Sequence, residues 1–284
     1  MKEVMYDQSS LLIAGILFFS IVAAIELGHR IGRRARVLAS ESSRDHVNAI
    51  QASLLGVLAL LLGFTFSLSL QRYDSRSEAV VQEANAIGTA YLRAQLLPAS
   101  VRGEAQQRLQ SYLGLRVQAG AVALDREEDR VALLAQSNRE LDLLWGYARQ
   151  AAEEDGRVVT SGLFIQSLNE LIDAYGRRDA ALKRHVPEVV LFLLYGTFVL
   201  TGIVVGYAAG AADHRPSFTT LILVALIVIL AFVIVDLDRP RRGLIKIDHT
   251  SLNDLKAAID LAQAAGTRQR GTSDLPRPAV TGRR

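Results

Sequence analysis

Four stretches of this chain carry almost no charge, and each is close to the length needed to cross a lipid bilayer. They are "LLIAGILFFSIVAAI" (11–25), "VNAIQASLLGVLALLLGFTFSLSL" (47–70), "VVLFLLYGTFVLTGIVVGYAAGAA" (189–212) and "SFTTLILVALIVILAFVIV" (217–235). Crossing the hydrocarbon core takes about 20 apolar residues at about 1.5 Å of rise each. Four such runs predict four transmembrane helices, at about 9–27, 47–70, 188–212 and 217–236. Half of the residues are apolar and the mean hydropathy is +0.21, as such a chain requires. The first run reaches full length only by including Glu26. Its N-terminal flank, "MKEVMYDQSS", lacks the positive region of a cleaved signal, and arginines follow it at once, so it reads as a retained anchor.

Composition excludes several functions. A net charge of +3 gives no basis for a nucleic-acid partner. Without cysteine there are no disulfides, thiolate metal sites or thiol nucleophiles. The five histidines, His29, His46, His185, His214 and His249, show no metal-ligand spacing. GxSxG, HExxH and phosphate-cradling glycine loops are missing, so neither an enzyme nor a cofactor is expected.

Residues 71–186 are too long for a loop and carry helical periodicity. Val80, Ala84, Ile87 and Tyr91 form one seam. Further patterns run through 100–124, 126–154 and 160–185, with breaks at Pro98, at the acidic run 125–129 and at "EEDGR" (153–157). The fold class is therefore an all-α membrane protein with a helical bundle between the second and third spans. Its sections are 1–70 (spans one and two), 71–186 (an extramembrane helical domain), 187–236 (spans three and four) and 237–284. The last holds a short amphipathic helix at 250–265, N-capped by Thr250 or Ser251, and a polar tail expected to be disordered from Gly266. No turn residue separates "GFTFSLSL" from "QRYDSR", so the second span should continue as one helix into water, to about Leu97, with Arg72 and Tyr73 at the interface.

Three sets of residues stand out. Asn48, Ala52, Gly56, Ala59, Gly63 and Ser67 follow one another at steps of three or four, a small-residue face on span two. It reads either as close packing or as the lining of a conduit wetted by Asn48, Gln51, Thr65, Ser67 and Ser69. Gly202, Gly206 and Gly210 form a doubled GxxxG on span three, a helix-packing motif. Asp236, Asp238, Arg239, Arg241 and Arg242 form a charge cluster where span four ends, read as an interfacial ion network or a weak cation site. The flanking charges nearly balance and lean toward a cytoplasmic first loop. Arg30, Arg33, Arg34, Arg36 and Arg44 favour a cytoplasmic first loop and an external middle section, whereas Arg239, Arg241, Arg242 and Lys246 argue the reverse.

The stretches "LLGVLALLLGFTFSLSLQRYDSR" (54–76), "EANAIGTAYLRAQLLP" (83–98) and "DLDRPRRGLI" (236–245) resemble the bacterial bestrophin-like membrane protein family. The resemblance implies a four-span protein of the bacterial inner membrane with a helical middle section, assembled as a homo-oligomer in the lipid bilayer and conducting small ions, anions first. It also implies a cytoplasmic middle section, opposite to the charge of the first loop. This sequence lacks an acidic calcium clasp, so calcium gating is not implied. The competing expectation is a non-conducting sensor or scaffold that uses 71–186 to bind a ligand or partner.

Overall fold

The computed structural model describes residues 8–36, 41–122, 126–215, 217–239 and 244–273. Among them there is no strand; the chain is all-α. Its helices are α1 (Ser10–Ala35), α2 (Glu41–Arg93), α3 (Ala99–Ala121), α4 (Glu127–Glu154), α5 (Leu163–Lys183), α6 (Glu188–Ala211), α7 (Phe218–Asp238) and α8 (Thr250–Ser273). The apolar parts of α1, α2, α6 and α7 are each long enough to cross a membrane.

Local chemistry sets the ends. The Ser9 hydroxyl accepts the Leu12 N–H at 3.1 Å and caps α1. Pro98 and Pro187 stand at the N-caps of α3 and α6, where a residue with no N–H costs nothing. After α4, the Asp155 carboxylate takes the Arg157 N–H (3.1 Å) and the Thr160 hydroxyl (3.0 Å), turning the chain into a π-type turn at Val158–Gly162 before α5. Helix α2 runs on past its apolar segment without a break and ends in a 3₁₀ turn at Ala94–Leu96. At α8 the sequence reading needs correction. His249, not Thr250 or Ser251, holds the capping position, its carbonyl accepting from Leu252 and Asn253, while the Asp248 carboxylate takes the Thr250 N–H at 2.8 Å. The helix also continues to Ser273, past the expected end at Ala265. A glycine in a helix costs about 1 kcal/mol, too little for Gly266 to stop it.

The chain forms two compact units. The first comprises 1–76 and 180–247: α1, the N-terminal part of α2, α6 and α7. Its apolar core joins Leu17, Ile21 and Ile25 of α1 to Leu58 and Leu62 of α2, Leu194 and Phe198 of α6, and Val224, Val228 and Ile234 of α7. Helices α1 and α6 meet backbone to backbone. A Cβ on Gly28 would lie 2.8 Å from the Ile203 carbonyl carbon and 2.9 Å from the Tyr207 nitrogen. Reciprocally, a Cβ on Gly206 would lie 2.8 Å from the Ile25 carbonyl carbon and 2.9 Å from the His29 nitrogen. Gly32 and Gly210 repeat the arrangement one turn on, against Ala211 and Arg33. In lipid, where apolar burial gives no drive, such close approach supplies the van der Waals contact that holds helices together. Tyr195 adds a hydrogen bond to Ser20 (2.7 Å).

The second unit comprises 77–179 and 248–284: the rest of α2 with α3, α4, most of α5, and α8. Val80, Ile87, Leu109, Leu113, Leu144, Phe164, Leu168, Leu171 and Leu252 are fully buried in it, an ordinary aqueous core. In α2 the buried residues advance by steps of three or four or by seven, through Leu58, Leu62, Thr65, Ser69 and Arg76 in the first unit and through Val80, Glu83 and Ile87 in the second. Within each unit one face of the helix is thus covered.

Candidate functional site

The small-residue set of α2 does not pack against its own chain. Asn48, Ala52, Gly56, Ala59, Gly63 and Ser67 are all exposed, and Cβ atoms on Gly56 or Gly63 would meet nothing within 4 Å. At 3.6 residues per turn this face lies roughly 120° around α2 from Leu58, Leu62, Thr65 and Ser69. Thr65 and Ser69 are therefore not part of it; both are buried, and the Thr65 hydroxyl bonds back to the Leu61 carbonyl at 2.7 Å. The face that remains is uncharged, narrow in side chain and free of partners among the described residues.

Three of the five charged residues singled out at the end of α7 fall among the described residues. Asp236, Asp238 and Arg239 are 1%, 2% and 4% exposed, so all three are buried. Asp238 takes the Val186 N–H at 2.9 Å and lies 3.8 Å from Arg76 and 3.9 Å from Arg72. Asp236 takes the Ile245 N–H at 2.9 Å. Arg239 reaches away to the Gln8 carbonyl and the Ser10 hydroxyl, tying the end of α7 to the start of α1. Arg241 and Arg242 lie outside the described residues. Arg76, which the sequence reading overlooked, holds this end together. Its guanidinium donates to the carbonyls of Ala181 (3.2 Å), Arg184 (2.6 Å) and Leu237 (3.1 Å). An arginine buried in a helix seam was the available signal.

The second unit contains a buried ionic centre that was also missed. Glu83 of α2 is inaccessible and accepts from Arg116 of α3 (Nε–Oε1, 2.6 Å), from Arg178 of α5 (Nη1–Oε2, 2.5 Å) and from the Tyr112 hydroxyl (2.8 Å). Arg116 also lies over the Tyr175 ring, 4.8 Å from its centre. Burial by itself would raise the Glu83 carboxyl, but Arg116 and Arg178 overcome it and hold its pKa below the usual glutamate value. Burial, reinforced by the Glu83 charge, pushes the Tyr112 phenol well up, so it stays a donor. His249, at the start of α8, stands 3.5 Å from Arg178 with its ring against Gly120. Burial and then Arg178 lower its pKa, which favours the neutral imidazole. No group of three or more potential metal ligands occurs among the described residues.

Four apolar helices, an aqueous helical bundle between the second and third of them, and no strand define an α-helical integral membrane protein. The Bestrophin-like domain matches residues 17–252, and the chain belongs to that family. Solved structures of a bacterial bestrophin homologue from Klebsiella pneumoniae are similar in fold. A tryptophan-to-alanine variant superposes with a TM-score of 0.64 at 21% identity, covering 88% of this chain and 96% of that one. An isoleucine-to-threonine variant gives 0.60 at 20% identity, covering 84% and 96%. No curated protein sequence matches the chain.

Proposed function

We propose that this protein is a homo-oligomeric ion channel of the bacterial inner membrane, with the small face of α2 lining its conduit. Membership of the bestrophin-like family supports the class, and anions are the cargo that the family name favours. The observation that carries the assignment is the uncovered face Asn48–Ala52–Gly56–Ala59–Gly63–Ser67. A span that packs one face on its own chain and leaves an uncharged, small-residue face free is suited to surround an axis with copies of itself. Small side chains leave room for a hydrated ion, and Asn48 and Ser67 offer polar groups to it. The test is flux from liposomes containing the purified full chain. Chloride efflux above empty vesicles is expected, with a strong fall for Gly56→Phe and Gly63→Phe. No flux of chloride, sodium or potassium above empty vesicles would overturn the proposal.

A further inference from the structure

In the first unit, α1 and the start of α7 enclose a cleft of about 830 Å³ whose two halves differ in chemistry. Its floor is apolar and lies within the spans: Val22, Ile25, Leu221 and Val224. Its rim is cationic: Arg30, Arg33 and Arg34 on the last turns of α1, and Arg215 before α7. The acidic residue of the lining, Glu26, is taken by Arg30 at 2.7 Å, and the nearby Asp213 is taken by Arg36. Arg33 and Arg34 have no ion pair among the described residues, and Arg215 acts on the Glu26 charge without forming an ion pair with it, so three guanidinium groups stand at the mouth against one carboxylate already held by Arg30. The first turn of α7 opens on the same cleft without a side-chain cap, because the Ser217 hydroxyl turns to that of Thr219. The N–H groups and dipole of that turn favour an anion.

We infer that this cleft binds an anionic phospholipid, its phosphodiester held by Arg33, Arg34 and Arg215 and its upper acyl carbons on the Val22–Leu221 floor. Basic pockets beside membrane helices recognise anionic headgroups through such charge, and arginine matches phosphate oxygens in a bidentate manner. The volume is in the range of small-molecule sites and is large for a bare phosphate. A free anion also has no use for a floor of valine, isoleucine and leucine. This assignment stands apart from the conduction proposal, since α2 contributes none of the cleft's lining.

The experiment uses the purified, delipidated full chain in detergent. Native mass spectrometry and thermal melting are followed on adding dioleoyl phosphatidylglycerol, dioleoyl phosphatidylcholine or inorganic phosphate. Phosphatidylglycerol should be retained and raise the melting temperature, and phosphatidylcholine should not. The triple variant Arg33→Gln/Arg34→Gln/Arg215→Gln should bind about a hundredfold more weakly, at about 1 kcal/mol per basic side chain near an anionic surface. The corresponding triple lysine variant should keep selectivity, and Arg177→Gln, on an exposed face of α5, should change nothing. Leu221→Trp, which fills the floor without touching charge, should also weaken retention. It decides the matter if the triple variant fails to fold. Equal retention of phosphatidylcholine, or unchanged binding in both variants, would overturn the inference. So would a melting shift from inorganic phosphate alone that survives Leu221→Trp, which would mark a free-anion site. A lipid-independent change in oligomer mass in the glutamine variant would mark a subunit interface and count equally against it.

Discussion

Glu83 on α2 and Arg178 on α5 form an ion pair across 95 residues of sequence, with both side chains inside the second unit. Arg116 completes the set, so one carboxylate answers two guanidinium groups. Removing the carboxylate would strand both charges. Glu83→Gln should destabilise the fold by about 3–5 kcal/mol, the usual cost of breaking a buried pair from one side. Thermal melting of the purified chain checks this, and hydrogen exchange should show the loss in α3 and α5. Because the folded pKa of Glu83 lies below its unfolded value, this stabilisation is complete above the ordinary glutamate range. It is lost as pH falls through the lowered value.

His249 gives a second acid-sensitive contact at higher pH. Burial and Arg178 depress its pKa below 6.5, so folding favours the neutral ring. Its contribution is present above 6.5 and declines as pH falls through the lower folded value. The groups that face it are Arg178, Arg116, Glu83 and its neighbour Asp248. Between about pH 7.5 and 5.5, the range in which histidine switches, amide exchange in the first turns of α8 should rise after correction for intrinsic rates. His249→Gln should remove that dependence.

Two glycine-to-alanine substitutions should have opposite effects. Gly206→Ala pushes a methyl group into the Ile25 backbone, and overpacking of this kind costs about 1–3 kcal/mol. Gly56→Ala enters open space and should leave stability unchanged or raise it by up to about 1 kcal/mol through helix propensity. Denaturation of the two purified variants against the parent separates them. Equal losses would mean that Gly56 is packed by another copy.

Arg76→Met should loosen the end of the first unit at which α7 finishes. Three carbonyls, of Ala181, Arg184 and Leu237, would lose their guanidinium donor; the bond to Leu237 is the buried one, and leaving that group unsatisfied costs about 1–3 kcal/mol. Arg76→Lys keeps the charge but not the fork, and should recover only part of the loss. Limited proteolysis near 181–186 and melting temperature report both.

The spans and the helical middle section were legible in the sequence because lipid demands uninterrupted apolar runs and helices repeat at 3.6 residues. Pro98, Pro187 and "EEDGR" marked the breaks because their backbone chemistry is local. Partners distant in sequence were not legible. Gly202, Gly206 and Gly210 were seen as a motif, yet nothing local said that Gly28 and Gly32 face them, since two glycines in an arginine-flanked helix end look unremarkable. Glu83, Arg116 and Arg178 resemble any surface charges until the fold brings them together. The available hint was that Glu83 falls in the Val80–Ala84–Ile87 seam, where a carboxylate needs a buried cation. Asp236 and Asp238 were located correctly at the end of α7. What the sequence did not show is that Arg76 and Arg72 of α2 flank Asp238 and that Arg239 bonds the Gln8 carbonyl, since these partners are far apart in the chain.

The covered face of α2 also makes the helix sensitive to length. Within the second unit, from Val80 to Ile87, it keeps one angular phase, with no loop in which an added or lost residue could be absorbed. Deleting a single residue between Val80 and Glu83 would turn Glu83 and Ile87 by about 100° relative to Val80, whichever residue was removed. Inserting a whole heptad would bring them back to within about 20°. Along this helix, indels should therefore be tolerated in sevens and rejected singly, even where substitutions are harmless.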